Sequence, residues 1–328
     1  MKHPKSMILV LLAALIGGCA ASTVPHKSEE RLTVVTWNVQ TFFDAVTDGT
    51  EYSEYRSEKS RWSRDAYERR LKTLCTAIKK LDADVYVLEE IENAGIIYDI
   101  ANQLAGGTWN PHTQLQYALF AKDEGAAIGC AVLSRFPLSN ATVHALDVRS
   151  ERTPQPAMRP LIAVTVTKNT RPLVIFVNHW KSKFGGAEKS EVWRDWQESV
   201  LAGRMAETPV AVACGDFNRD IAEFAIVSDA RGTVALRHAG RLGKSTVNVT
   251  APWLTTDVES RGSPGSYFFR DSWECIDHFF ITDAVTLETF TVATGDPWTN
   301  KDATPDRYTM YNGRGCSDHL PLVGTIRF

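Results

Sequence analysis

Short apolar runs alternate along this chain with longer stretches in which apolar residues recur every three or four positions. The short runs predict strands at Leu32–Val39, Val85–Leu88, Leu161–Val166, Val174–Asn178, Val210–Cys214 and Cys275–Thr282. Further strands are predicted around Tyr117–Phe120 and Ala127–Ser134, with a last one running to Phe328. A helix is expected over Arg64–Leu81, where Tyr67, Leu71, Leu74, Cys75 and Ile78 fall at helical spacing. A second helix is expected near Gly95–Leu104, and a third over Ala187–Met205 with Val192, Trp196, Val200 and Gly203 on one face. A fourth is placed near Ile221–Val227. Polar stretches at 44–62, 240–272 and 295–315 read as long loops. With no low-complexity linker after residue 30, the pattern implies one mixed α/β domain over 31–328, its helices covering sheet faces.

The N-terminus breaks the pattern. Lys2 and Lys5 precede an apolar run from Met7 to Ile16, followed by Gly17, Gly18 and Cys19. That is the form of a secretory leader over 1–18, too short for an ordinary membrane-spanning helix. Its ending resembles a bacterial lipobox, which implies a lipidated Cys19, a polar tether over 19–30 and an exported, membrane-anchored protein. Cleavage near Ala20-Ala21-Ser22 without lipid is the alternative. A hydrophobic content of 44% with 23% charged residues is ordinary for a globular protein. Removing Lys2 and Lys5 with the leader takes the formal charge from −3 to −5, so any grip on phosphates must be local or metal-assisted. Cys75, Cys130, Cys214, Cys275 and Cys316 fit no zinc spacing. A Cys275–Cys316 disulfide is open to an oxidising compartment.

The chemistry gathers at strand ends. Asp216 and Asn218 follow the buried run Val210–Cys214 and, by strand alternation, point to one side while Phe217 turns into packing. A plain turn at Gly215 is the competing reading. Asn38, Glu90, His179, Asp277, Asp318 and His319 occupy equivalent strand ends. Carboxylates, two histidines and amides together suit phosphate-ester hydrolysis with a hard divalent cation.

Seven segments then carry a resemblance. They are Thr36-Trp37-Asn38-Val39, Leu88-Glu89-Glu90-Ile91-Glu92, Gly129-Cys130-Ala131-Val132-Leu133-Ser134-Arg135, Val177-Asn178-His179, Gly215-Asp216-Phe217-Asn218, Ile276-Asp277-His278 and Ser317-Asp318-His319-Leu320-Pro321. In this order they resemble the endonuclease/exonuclease/phosphatase superfamily, the fold of pancreatic-type deoxyribonucleases and apurinic endonucleases. The resemblance implies an α/β (α+β type) four-layer sandwich, two packed mixed β-sheets flanked by helices, with an approximate internal two-fold. It implies Glu90 as principal ligand for Mg²⁺ or Mn²⁺, with Asn38 and Asp318 close by, and leaves room for Ca²⁺ as a second, structural ion. His319 matches the essential histidine, oriented by Asp277. Asp216 would position or deprotonate the attacking water, and Asn218 would donate to phosphoryl oxygens. His179 matches a second catalytic histidine, oriented by an acid for which Asp123 and Glu124 are candidates, and Arg159 an arginine on the scissile phosphate. Gln40 stands where the apurinic enzymes carry an acid, and fits the pancreatic type.

The expected substrate is DNA or RNA, and no protein partner is inferred. Tyr52, Tyr55, Trp62 and Tyr67, interleaved with Arg56, Lys59, Arg61, Arg64, Arg69 and Arg70, could hold a phosphate backbone and stack bases. They could equally form a solvated helix face. A lipid phosphodiesterase would need an apolar lip, for which Tyr267-Phe268-Phe269 and Trp298 are candidates. A catalytically inactive binding lipoprotein is the third reading.

Overall fold

The computed structural model describes residues 29–106, 115–147, 149, 154–238 and 246–328. The leader, Cys19 and the tether up to residue 28 lie outside the described residues, as do 240–245 of the loop expected at 240–272. The elements begin with β1 (Arg31–Phe42), α1 (Ser53–Arg56), α2 (Arg64–Leu81), β2 (Val85–Ile91), α3 (Ala94–Ala105), β3 (Tyr117–Ala121) and β4 (Gly129–Ser134). Next come β5 (Leu138–His144), β6 (Leu161–Lys168), β7 (Arg171–His179), α4 (Ala187–Ala206), β8 (Ala211–Asp216), β9 (Ala225–Ile226) and β10 (Thr233–Arg237). The last are β11 (Thr246–Thr250), α5 (Val258–Arg261), β12 (Tyr267–Phe269), β13 (Ser272–Glu274), β14 (Asp277–Ile281), β15 (Thr286–Val292) and β16 (Leu322–Arg327).

Two mixed sheets result. The first has six strands in the order β15-β16-β1-β2-β4-β3, the second eight in the order β5-β6-β7-β8-β14-β11-β10-β9. Each contains one parallel pair, β1 with β2 and β7 with β8. A parallel pair needs a crossover, and the two long helices supply it: α2 joins β1 to β2, and α4 joins β7 to β8. Helices flank both sheets, so the layers form a four-layer sandwich. Val35, Val87 and Val132 of the first sheet share one core with Ile175, Val212 and Phe279 of the second. Along β8 the strand period sorts side chains: Val212 and Cys214 enter that shared core, while Ala211 and Ala213 join a second core with Trp196 and Val200 of α4.

Helix α2 spans the expected residues because its ends are chemically marked. The Ser63 side chain accepts from the Ala66 amide at the start, and Asp82 adopts the left-handed conformation at the end. On α4 the apolar face is narrower than expected. Val192 is exposed, because the buried face there is occupied by Arg194, and Glu198 further along pairs with the buried Arg219. The helix expected near 221–227 is a single turn at Ile221–Glu223, capped by Asp220. Phe224 packs against Phe217 and Phe280, and the chain continues as β9 against β10. The stretch expected as loop at 240–272 contains β11, α5 and β12. β11 is explained by Val249 entering the α4 core, and its β-branched run supports a strand. Cys75, Cys130, Cys214, Cys275 and Cys316 are all free. Cys275 is not joined to Cys316: its sulfur contacts the Pro264 carbonyl at 3.4 Å, while Cys316 is buried in the inter-sheet core.

Candidate active site

Strand register assembles the site. His179 of β7 pairs with Asp216 of β8, and Asp216 pairs with Asp277 of β14, so three functional residues stand in one row across the second sheet. Gly215 lies inside β8 rather than ending it, because a Cβ there would sit 1.9 Å from the Asn178 carbonyl oxygen. The first sheet contributes from across the sandwich. Asn38 of β1 pairs with Glu89 of β2, and Glu90 follows with φ +66°. The Asn38 amide donates to Asp216 Oδ2 at 3.0 Å and to Glu90 Oε1 at 3.2 Å, tying the sheets together at the site. Thr41 donates its backbone N–H to the other Glu90 oxygen.

The segment before β16 brings His319. Its Nδ1 donates to Asp277 Oδ2 at 2.8 Å, and its carbonyl accepts from the Trp37 indole at 2.9 Å. Burial alone would lower the His319 pKa, but the Asp277 carboxylate, its hydrogen bond, and Asp216 and Asp318 outweigh it, leaving the imidazole well above its ordinary value. It is held as a cation. Asp216 is pushed up to about 7, first by burial, with Asp277 adding to the rise and His319 opposing it. Asn218 donates to Asp216 from its amide at 3.0 Å and its backbone at 2.8 Å. Asp216, Asp277 and His319 place ligand atoms within 4.8 Å of one another, all buried. Asp318 faces the same cleft, 3.9 Å from Arg307.

His179 is of opposite character. Burial, then Arg159, His319 and Lys181, hold it well below its ordinary pKa, so it is neutral. Arg159 lies 2.7 Å from its Nε2 and can only donate, so Nε2 accepts and Nδ1 carries the proton. Among the described residues that buried Nδ1 has no partner. Asp123 and Glu124 do not supply one; they line a separate cavity of about 350 Å³ that also borders His179 and Arg159.

Above the row opens a cleft of about 1000 Å³ lined by Asn38, Glu90, His179, Asp216, Asn218, Asp318 and His319. Its walls carry Tyr52, Tyr55, Phe184, Tyr267 and Phe269, with Lys183, Arg270 and Arg307 as cations. Only part of the aromatic–basic segment read from the sequence reaches it. Tyr52 and Tyr55 do; Arg61 turns away onto Tyr311, and Arg70 is buried. Of the proposed apolar lip, Tyr267 and Phe269 line the cleft, Phe268 packs on Trp273, and Trp298 is buried against Trp37. Gln40 is no stand-in ligand: its amide exchanges hydrogen bonds with the Tyr308 backbone at 3.1 and 2.9 Å.

The family model described as Endonuclease/Exonuclease/phosphatase family matches residues 33–295, most of the chain. The chain belongs to that family. Among solved structures, a humanized D. rerio TDP2 is similar at 17% identity and a TM-score of 0.56, over 90% of this chain and 98% of that one. An endonuclease/exonuclease/phosphatase from Beutenbergia cavernae DSM 12333 is similar at 18% identity and a TM-score of 0.55, over 91% and 72%. D. rerio TDP2 complexed with single strand DNA product is similar at 16% identity and a TM-score of 0.52, over 90% and 98%. At these identities the likeness is one of fold. No curated protein matches the sequence.

Within this endonuclease/exonuclease/phosphatase site, Glu89 was given no role from the sequence, where only its neighbour Glu90 was assigned one. Glu89 is fully buried and accepts from the Thr36 hydroxyl at 2.9 Å; among the described residues its other oxygen has no partner. Burial first, then Asp277 and Asp216, push its pKa well above the ordinary value. The one available signal was position: Glu89 directly extends the apolar run Val85–Leu88.

Proposed function

We propose that this protein is a divalent-metal-dependent phosphodiesterase acting on nucleic acid. The observation that carries the reading is the row His179–Asp216–Asp277 closed by His319 at the floor of an open cleft. The donor chemistry fits a hard cation: Glu90, Asp216 and Asp318 offer carboxylate oxygen, and Asn38 bridges the first two. Glu90, Asn38 and Asp318, with Asp216 beside them, would hold Mg²⁺ or Mn²⁺, which supplies Lewis-acid neutralisation of the phosphoryl oxygens.

The chain's own groups divide the remaining work. His319, held as a cation by Asp277, presents its Nε2–H as a charged donor to a phosphoryl oxygen. Asp216, with a pKa near 7, orients the attacking water and accepts its proton. Asn218 fixes the Asp216 carboxylate and shares its amide with phosphate. Arg159 borders the smaller cavity and reaches the cleft through His179, whose neutral ring its hydrogen bond holds in place; its contact with phosphate rests on the resemblance. His179 therefore enters as an acceptor at Nε2, and the Arg159 guanidinium takes the place at its side where the resemblance implied an orienting acid.

Nucleic acid is supported by the aromatic and cationic walls, on which bases can stack and phosphates rest. It is also supported by the single-strand DNA product bound to D. rerio TDP2. A lipid phosphodiesterase is the second reading, favoured by Phe184, 92% exposed at the cleft rim, together with exposed Phe269. A panel of DNA, RNA, and sphingomyelin or phosphoinositide vesicles, each with Mg²⁺, Mn²⁺ or EDTA, decides. Metal-dependent cleavage of nucleic acid with intact vesicles is expected; vesicle hydrolysis with intact nucleic acid would replace the proposal by the second reading. The leader and Cys19 add export and lipid anchoring to the proposal. Mass spectrometry of the native membrane fraction should find a lipidated Cys19, and an unmodified N-terminus at Ser22 or later would remove that part.

A further inference from the structure

His179 and Arg159 also line the separate cavity of about 350 Å³, which no step above uses. His179 is the wall it shares with the cleft, since the residue lines both. The ring's Nε2 is engaged by Arg159, with Glu90 and Asp216 oxygens 3.7 Å away. Two donors are left over among the described residues: the buried His179 Nδ1–H and the buried Arg159 Nε–H have no partner. A buried donor is destabilising until an acceptor reaches it. A second, independent set of groups comes from the loop after β3, where Asp123 and Glu124 bring carboxylates to the same cavity. Burial raises the Asp123 pKa, and among the described residues no cation or hydrogen bond offsets the rise. Leu146, Met158, Pro160 and Val200 make much of the remaining lining apolar.

Such a lining selects its occupant. Small-molecule sites have this size and this combination of apolar walls with a few polar groups. A simple oxyanion would meet the two carboxylates, and a cation would meet the Arg159 guanidinium. A flat heteroaromatic ring satisfies both, with acceptors for His179 and Arg159 and an amino group for Asp123. We propose that this cavity is a nucleobase subsite, which receives a base next to the phosphate under attack and prefers bases that carry an exocyclic amino group. Carboxylates accept from such groups when proteins read base edges. The subsite rests on the nucleic-acid reading of the cleft and adds to it a residue-level source of base preference, placed directly against His179.

Deoxynucleoside monophosphates are titrated by calorimetry into the protein in EDTA, with deoxyribose phosphate as the base-free control, so that turnover plays no part. The cytosine, adenine or guanine nucleotide should bind at least about tenfold more tightly than the thymine nucleotide and the control, the order of discrimination that well-placed base contacts give. Asp123→Asn should remove the preference over thymine. Leu146→Trp, which fills the cavity, should bring every nucleotide to the level of the control. On end-labelled DNA, Asp123→Asn should flatten the wild-type pattern of cut sites. The proposal is overturned if the nucleotides bind no more tightly than deoxyribose phosphate. It is also overturned if the base contribution survives both substitutions and is lost in Phe269→Ala, which would put the base on the cleft wall. Failure of the nucleic-acid reading shows separately, as intact DNA and RNA in the substrate panel, whereas cleaved DNA without a base contribution overturns only the subsite. Asp123 lies in a loop and is part-exposed, so Asp123→Asn keeps the test available should Leu146→Trp not fold.

Discussion

Glu89 and Glu90 are adjacent in sequence and opposite in environment. Glu90 faces the cleft and takes donors from Asn38 and Thr41, whereas Glu89 is sealed between the sheets with one oxygen unpartnered among the described residues. Because burial, Asp277 and Asp216 raise the Glu89 pKa, the folded protein keeps it protonated at pH values where the unfolded chain ionises it. Its contribution to stability is full below the ordinary carboxyl range and is lost as pH rises toward the folded value. Glu89→Gln removes that loss. Its melting temperature should match the wild type near pH 4 and exceed it near pH 8; a lower value at pH 8 would contradict the assignment. The sequence placed two acids at the strand end and the resemblance singled out Glu90, but nothing local marked Glu89 as the buried one. That depends on which flank of β2 the second sheet covers. His179 teaches the same lesson: its position was legible, its protonation was not, because Arg159 sits twenty residues away in sequence.

At the scale of elements, two connections hold the row His179–Asp216–Asp277 and the turn beside Glu90 in place. Gly215 keeps β7 and β8 in contact at a point where a methyl group would meet the Asn178 carbonyl, with φ at +135°. Gly215→Ala should cost at least about 2 kcal/mol in urea unfolding, as steric overlap combined with backbone strain does. Wild-type stability would show that the strands can separate freely there. The short spacing Cys214-Gly215-Asp216 reads equally as strand or turn, and only pairing with β7 decides. Arg70 of α2 is the other connection. It donates to the carbonyls of Val39, Gln40 and Thr41 and lies over the rings of Phe42 and Tyr308, at 4.7 and 3.9 Å. Gln40 and Thr41 are held at φ 53° and 42°, which turns the Thr41 amide toward Glu90. Arg70→Lys cannot make the forked contact. It should raise the metal concentration for half-maximal activity, with kcat at saturating metal largely retained; an unchanged metal profile would assign Arg70 to packing alone. From sequence, Arg70 was one more cation in a basic helix, since nothing local distinguishes a buried arginine from a solvated one.

For the whole molecule, an acidic chain must bring polyanions to its cleft with few cations. Arg270 is exposed beside Phe269 at the rim. If it meets a phosphate, Arg270→Ala should lower the slope of log affinity against log salt by about one, leaving hydrolysis of a small phosphodiester unaffected. The layered fold was legible because motifs sit at strand ends in a fixed order, and the same motifs pointed to Asn38, Glu90, His179, Asp216, Asn218, Asp318 and His319, which line one cleft. The cleft walls were not, since Tyr52, Phe184 and Phe269 come from three separate loops whose approach depends on sheet packing. The central claim is that the His319–Asp277 pair and a divalent ion act together on a phosphodiester. Initial rates of DNA cleavage by wild type and His319→Ala, with Mg²⁺ and with EDTA, test it most directly. The wild type should cleave only with metal, and His319→Ala should be slower by about 10²–10⁴-fold without a matching loss in melting temperature. Cleavage by His319→Ala at the wild-type rate, or wild-type cleavage that survives EDTA, would contradict it.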